Sequence, residues 1–293
     1  MEYVCTLCPR QCRAQRTKQQ NIGGYCSMPS EPIAARAALH FGEEPCISGT
    51  RGSGTIFFSG CALGCVFCQN ESISHKQYGK VISVERLADI FRELEQMGAH
   101  NINLVNPTHY AVSIRKALQL YKPKVPIVYN SGGYERVETL KSLEGLIDIY
   151  LPDCKYMDSS LSAALSDAPN YFEYASAAIR EMVRQTGVVT LDEDGIAQKG
   201  TIVRHLVLPG HTANSMQVLD WLATIPDSWV SLMFQYTPCG DLARFKELQR
   251  PLTRRECEKV WQYMSDLNLV NGYVQDRKSS GTKMIPEFDL TGL

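Results

Sequence analysis

The sequence predicts an α/β fold: a partial (β/α)6 barrel of parallel strands over residues 55–293, with an N-terminal cysteine-rich cap over residues 1–54. Three observations predict it. From residue 55 onward, six short β-rich runs alternate with helical patterns, which implies right-handed crossovers and a parallel sheet. Several of these runs are apolar on nearly every residue, as parallel strands buried on both faces are. Residues 1–54 do not follow the alternation, and they gather Cys5, Cys8, Cys12 and Cys26 in one short stretch. Six units are too few for an eight-fold barrel; an open six-stranded partial barrel or a doubly wound sheet would fit, and in either case function is expected at the C-terminal strand ends.

The first strand is T-I-F-F-S (55–59). Residues 83–97 place Leu87, Ile90, Phe91, Leu94 and Met97 at helical spacing, and Gly98 suits the position just past a helix end. Then follow N-I-N-L-V (101–105), a helix near 110–121, P-I-V-Y-N (126–130), a helix near 134–145 and I-D-I-Y-L (147–151). Further helix is expected in 159–187. Asp194-Gly195 suits a type I′ hairpin turn. The chain continues with T-I-V-R-H-L-V-L-P (201–209), a helix near 214–224 and W-V-S-L-M-F-Q-Y (229–236). Thr253-x-x-Glu256 reads as a capping box opening the last helix. No internal repeat, low-complexity tract or long linker interrupts the series.

Whole-chain composition narrows the class. A 293-residue chain with 44% hydrophobic and 21% charged residues can bury a large core. A formal charge of −1 gives no electrostatic reason to make nucleic acid the main partner. The first ten residues lack a basic segment followed by an apolar one, so no signal peptide is expected. No uncharged apolar run reaches the roughly 18 residues that span a bilayer. A cytoplasmic protein is the expectation. There, clustered cysteines among the 11 present point first to metal rather than disulfides. Cys46, Cys154, Cys239 and Cys257 are scattered and read as small buried hydrophobes.

The segment G-C-A-L-G-C-V-F-C-Q-N (60–70) places Cys61, Cys65 and Cys68 on one loop directly after the first strand. Three thiolates on a four-iron cubane leave one iron open to a further ligand. The plainer reading is a zinc knob with His75 as fourth ligand, although zinc sites more often use paired Cx2C knuckles.

Cx3CxφC with the aromatic Phe67 before the last cysteine resembles the radical S-adenosylmethionine (SAM) superfamily signature. The surrounding residues resemble the branch labelled pyruvate formate-lyase activating enzyme-like. That likeness extends through N-P-T-H (106–109), Y-N-S-G-G-Y (129–134), L-P-D-C-K-Y (151–156), V-R-H-L-V-L-P-G (203–210) and L-M-F-Q-Y-T-P (232–238). It implies a [4Fe–4S] cluster on Cys61, Cys65 and Cys68 whose open iron chelates SAM, which is split into methionine and a 5′-deoxyadenosyl radical. It also implies a low-potential electron donor such as flavodoxin or ferredoxin.

Position by position, the resemblance sets Phe67 beside the adenine. Asn106, Pro107 and Thr108 stand where a Gly-Gly-Glu motif usually orients SAM's amino group. Asn130 and Ser131 would meet the ribose or carboxylate. Asp153 and Lys155 match the D-x-K element of glycyl-radical activases, as catalytic and SAM-contacting residues. Arg204 and Gln235 would contact SAM or substrate. The plain alternative for these charged and polar residues is a solvated loop. His205 and His211 are expected to be hydrogen-bonded structural residues.

Cys5, Cys8, Cys12 and Cys26 supply four thiolates, enough to close a coordination sphere. Tetrahedral S4 suits structural zinc and a cubane fits as well. Nothing in the sequence demands a second redox centre, which favours zinc. Three readings of function stand: activation of a glycyl-radical enzyme, radical modification of a small molecule, peptide or RNA, and a non-catalytic iron–sulfur or zinc scaffold.

Overall fold

The structure is a computed structural model, and it describes residues 2–275 and 286–293. Strand β1 (Ile33–His40) runs antiparallel to β2 (Ser53–Phe58). There follow α1 (Val84–Gln96), β3 (Ile102–Val105), α2 (Ala111–Leu120), β4 (Ile127–Ser131), α3 (Val137–Lys141) and β5 (Ile149–Pro152). Next come α4 (Ser159–Ser166), α5 (Tyr171–Thr186), β6 (Ala197–Leu206), α6 (Thr212–Leu222), β7 (Trp229–Met233), α7 (Arg254–Asp266) and β8 (Gly272–Gln275). The strand order is β8-β7-β6-β5-β4-β3-β2-β1, with Lys80–Val81 antiparallel outside β1. Every neighbouring pair from β2 to β8 is parallel.

This is the mixed α/β fold with a parallel sheet that the alternation predicts. Among the described residues the two sheet edges do not pair, so the barrel is partial and open. Strand β8 adds a seventh parallel strand beyond the six read from the sequence. Residues 33–54, grouped with the cap by composition, are woven into the sheet through β1. No helix among the described residues is long and apolar enough to cross a membrane.

Local chemistry sets the element ends. Ser83 caps α1 by accepting from Arg86 N–H, and Gly98 follows with φ +84°. Thr253 and Glu256 form the expected reciprocal capping box of α7. The helical stretch 159–187 is two helices, because Asp167 turns left-handed (φ +51°) ahead of Pro169, which cannot continue a helix. The helix expected near 134–145 shrinks to α3, since residues 132–135 leave β4 as a tight wall. A Cβ on Gly133 would lie 2.0 Å from Asp153 O. The Asp194-Gly195 hairpin forms without a type I′ turn: Asp194 is not among the residues with positive φ. Instead the Asp192 carboxylate accepts from Asp194 and Ile196 N–H.

Alternation along the strands gives the sheet two apolar faces. Tyr129 and Tyr150 pack with Leu87, Ile90 and Phe91 of α1 and Ile114 of α2. Val128, Ile149 and Leu151 point the other way, onto Cys46 and Ile47 of the short helix Pro45–Ser48. That helix plugs the inner face, and the residues before it reach the strand ends. Each fully buried Leu, Ile or Phe contributes about 1.5–3 kcal/mol.

One buried polar group sits in this packing. Glu135 is 1% exposed; burial pushes its carboxyl up to about 7, against hydrogen bonds from Thr108, Ser131 and Tyr129. The folded state therefore holds a proton that the unfolded chain, near its ordinary 4.5, releases first. This contribution to stability is present below about pH 4.5 and is lost as pH rises through about 7, at ~1.4 kcal/mol per unit of separation. Glu135→Gln is expected to flatten the fall in unfolding free energy between about pH 5 and 8. Urea titrations of both proteins across that range check it, and parallel curves would refute it.

Candidate active site at the mouth of the sheet

The loop after β2 leaves through Gly60 (φ +84°), where a Cβ would lie 2.1 Å from Met28 Cγ. Its backbone is docked on the end of α4: Gly64 N–H donates to Ser166 O and Val66 N–H to Leu165 O, at 3.1 and 3.0 Å. Ser166 Oγ donates to Cys65 Sγ at 2.9 Å and pairs with Tyr156 OH. Leu63 N–H donates to Cys61 Sγ at 3.3 Å, and Cys68 Sγ lies 3.2 Å from Ser74 Oγ. Gly240 backs the loop, since a Cβ there would stand 2.2 Å from Val66 O.

Burial pushes all three thiols up, Cys68 to about 11. The charge of Cys65 adds to the rise at Cys61 and Cys68, while Lys155 pulls each of the three down. Such thiols are held as thiolates when a cationic metal centre compensates them. Among the described residues no three His, Cys, Asp or Glu side chains converge on one metal ion. A cubane takes its thiolates at separate corners, so three thiols on one loop, Cys65 buried and Cys61 and Cys68 half-buried, fit that group by their donor chemistry. His75, the zinc alternative, is exposed at the end of the short helix Glu71–Ser74 and does not join them.

Cys65, Phe67 and Cys68 border a cavity of about 570 Å3 that Val105, Asn130, Asp153, Arg204, Met233 and Gln275 also reach. These stand at or just beyond the C-terminal ends of β3 to β8, where ligands of open α/β sheets bind. The volume is within the range of small-molecule sites.

An ion network forms one wall. Arg204 Nε donates to Asp153 Oδ1 at 2.9 Å, Nη2 to Asn130 Oδ1 at 2.6 Å and Nη1 to Glu43 Oε2 at 3.3 Å. Lys155 Nζ donates to Asp153 Oδ2 at 2.5 Å. Asn103 and Asn130 both donate to Glu43 Oε1 at 3.1 Å. The side chains of Asp153, Lys155 and Arg204 are only 15–17% exposed, so this is no solvated loop pair. Burial alone would raise Asp153, but Lys155 and Arg204 together hold it below the usual carboxylate range. Burial would likewise lower Lys155, and the Asp153 charge reverses that.

The other sequence candidates divide. Phe67, Lys155 and Gln235 border the cavity. Phe67 meets Tyr236 edge-on, and Gln235 donates to Gln275 Oε1. Asn106, Pro107, Thr108 and Ser131 are not on its wall. Asn106 (φ +59°) donates to Gly60 O and Thr108 donates to Glu135 at 2.6 Å, so both brace the loops instead. Ser131 is 3% exposed and its hydroxyl accepts from Gly133 N–H. His205 pairs with Cys154 O and Ser215 Oγ, and His211 lies 3.4 Å from Glu247.

Sequence reasoning missed Glu43 and Glu44. Two acids before a proline look like solvated loop, yet both line the cavity beside Arg204, and burial raises both carboxyls. Neither residue lies in a quoted motif, and their partners Asn103, Asn130 and Arg204 are far along the chain, so no local signal marked them.

The comparisons agree with this geometry. The sequence model of the radical SAM superfamily matches residues 55–222, and the chain belongs to that superfamily. The uncharacterized protein MJ0674 of Methanocaldococcus jannaschii is 30% identical over 275 residues, covering 90% of this chain and 75% of that protein. Streptococcus suis SuiB bound to precursor peptide SuiA aligns with TM-score 0.50 and 15% identity, over 74% of this chain and 47% of SuiB. SuiB bound to S-adenosylmethionine aligns with TM-score 0.50 and 16% identity, over 77% and 49%. This chain spans about half the length of SuiB, and at such identity the likeness shows the fold alone.

Removing Arg204 leaves Glu43 and Asp153 buried without their shared cation. Arg204→Ala is expected to cost ~3 kcal/mol or more of unfolding free energy. Adding Glu43→Gln should recover part of that loss, because one of the stranded charges is then gone. Chemical denaturation of the single and double variants checks both, and a near-neutral Arg204→Ala would contradict the network.

Proposed function

We propose that this chain cleaves SAM reductively and directs the resulting radical at a substrate hydrogen in the strand-end cavity. The observation that carries this reading is that two thiols of the triplet, Cys65 and Cys68, border the same cavity as the Asp153–Lys155–Arg204 network. Cys61, Cys65 and Cys68 would hold a [4Fe–4S] cluster with one iron open to SAM. Bound there, cluster and SAM supply one-electron cleavage to methionine and a 5′-deoxyadenosyl radical, given an electron from a donor such as flavodoxin or ferredoxin. SuiB, which shares the fold, binds S-adenosylmethionine, and this supports SAM as the ligand here.

The chain's own residues then orient and exclude. Lys155 offers its remaining N–H donors to SAM's carboxylate, while Asp153 keeps it cationic. Asn130 and Gln235 offer polar contacts to the amino acid or ribose, and Phe67 offers a ring to the adenine. Asn106 and Thr108 act at one remove, by bracing the loops.

For the target we favour a glycine of a partner protein, the activation of a glycyl-radical enzyme. The Asp153-x-Lys155 element supports it, and so does an apolar rim: Phe41 and Val274 border the cavity while 60% and 45% exposed. A rim of that kind suits a chain segment rather than a free polar metabolite. Deuterium on the target glycine should appear in 5′-deoxyadenosine; transfer from a free peptide or small molecule instead would move the reading to a modifying enzyme.

Replacing any one of Cys61, Cys65 or Cys68 by Ala is expected to abolish 5′-deoxyadenosine formation under anaerobic, reducing conditions. Full activity in any of the three would sink the triplet assignment. Lys155→Ala should keep the cluster's optical spectrum yet bind SAM more weakly and turn over ~100-fold slower, since misplacement by about 1 Å costs that much. Wild-type binding and turnover would remove Lys155 from the site.

A further inference from the structure

The charges on the cavity wall do not balance. Among the described residues Glu43, Glu44 and Asp153 bring carboxylates to it, while only Lys155 and Arg204 bring permanent cations. Both cations are engaged: Lys155 pairs with Asp153, and Arg204 with Asp153 and Glu43. His40 also lines the cavity, but burial, helped by Arg36, lowers it, so it adds no charge at neutral pH. Glu44 is the carboxylate left over, with no ion pair of its own among the described residues.

Glu44 is also poorly satisfied. It is 1% exposed and directly precedes the Pro45–Ser48 plug. Its Oε2 is buried with no hydrogen-bond partner among the described residues. Its Oε1 receives Gln275 Nε2 at 3.5 Å, the outer limit of a hydrogen bond, so that contact does not pin the carboxylate. Burial raises the carboxyl, Arg204 lowers it, the Glu43 charge raises it again and the Ser231 hydroxyl of β7 lowers it. Yet Ser231 Oγ itself stands outside hydrogen-bond geometry among the described residues. The neighbouring amides continue the same polarity: Gln235 Nε2 donates to Gln275 Oε1, and Gln235 Oε1 is left buried without a partner among the described residues.

A buried carboxylate with neither cation nor donor is costly, and a ligand that completes it removes the cost. The completing group must be positive and rich in N–H donors, which describes an ammonium or a guanidinium. A neutral hydroxyl would fill the hydrogen bond and leave the surplus negative charge in place. The route to Glu44 is apolar, since Phe41, Tyr273 and Val274 line the same cavity. That suits a lysine or arginine, whose hydrocarbon stem lies on apolar surface while its head reaches a polar group. No hydrogen bond or ion pair joins Glu44 to the triplet or to Lys155 among the described residues, so it stands apart from the groups given to SAM above.

We propose that Glu44 is a specificity-determining residue that takes the cationic head of a lysine or arginine flanking the target glycine of the substrate segment. This rests on the reading that the strand-end cavity receives a chain segment.

The test measures binding rather than turnover. The full chain is reconstituted anaerobically with iron and sulfide and saturated with SAM. Fluorescence anisotropy then follows labelled peptides whose central glycine is flanked on both sides by arginine, by its neutral analogue citrulline, or by glutamate. The arginine peptide is expected to bind ~10-fold or more tightly than the citrulline peptide, and the glutamate peptide most weakly. Glu44→Gln should bring the arginine peptide to the citrulline level and leave the citrulline peptide unchanged. Asp194→Asn removes an exposed acid from the hairpin that precedes β6, at the opposite end of the sheet, and should keep the preference. If Glu44→Gln does not fold by circular dichroism, the wild-type comparison decides alone. No binding, equal affinity for the arginine and citrulline peptides, or a preference that survives Glu44→Gln would overturn the proposal. So would a Glu44→Gln variant that loses SAM affinity in equilibrium dialysis, because the carboxylate would then serve SAM. Free n-butylguanidinium binding as tightly as the arginine peptide would overturn a chain segment as the source of the cation. A wild-type protein that shows the preference but forms no 5′-deoxyadenosine would refute the proposed reaction and leave this assignment standing.

Discussion

The guanidinium of Arg204 is where strand ends, inner plug and site meet. It projects from β6 and is held by Asp153 beyond β5, Asn130 of β4 and Glu43 ahead of the Pro45–Ser48 helix. A buried ion cluster gains little stability over an apolar core, and its members become costly as soon as one is unpaired. Its effect is therefore geometric: four chain segments must reach one register together, or several charges are stranded. The same constraint keeps Asp153 ionised and Lys155 cationic, which leaves Lys155 a charged donor facing the cavity.

The triplet loop has no regular secondary structure, so its stiffness comes from what presses on it. Ser166 holds Cys65, Gly240 lets another loop lie against Val66 O, and Asn106 ties down Gly60 O from the end of β3. Sites of this kind need a supporting layer that fixes the reacting groups to fractions of an ångström. Thr108 and Glu135 belong to that layer: Thr108, expected from the resemblance to meet SAM, donates inward to the Glu135 carboxylate instead of reaching the cavity wall.

Much of the fold was legible because its signals are periodic or local. The spacing of Leu87, Ile90, Phe91 and Leu94 gave α1, and the Thr253–Glu256 pair gave the cap of α7. Strand β1 was not legible: I-A-A-R-A-A-L-H is alanine-rich and lacks the β-branched run that marks a strand. Strand β8 has four residues, and its pairing with β7 makes it a strand, not its composition. The cysteine triplet was readable because three ligands must sit on one short loop. Glu43 and Glu44 were not, because a buried carboxylate in a loop is defined by partners far along the chain: Asn103, Asn130, Arg204 and Gln275.

The triplet loop faces two ways. Cys65, Phe67 and Cys68 turn toward the cavity, while Gly60, Ala62 and Gly64 turn toward Met28, Arg10 and Tyr25 of the N-terminal segment. A glycine at 60 or 64 lets that segment come close, and any larger residue would push the loop toward the cavity. The position of the thiols thus depends on how well residues 8–28 are folded. The small sheet of Tyr3–Val4, Gln15–Arg16 and Asn21–Ile22 buries too little apolar surface to order itself. Its order must come from packing on the sheet and on the triplet loop, which Arg10 reaches at Ala62 O. Folding of the N-terminal segment and geometry of the cysteine-triplet loop are therefore one coupled equilibrium.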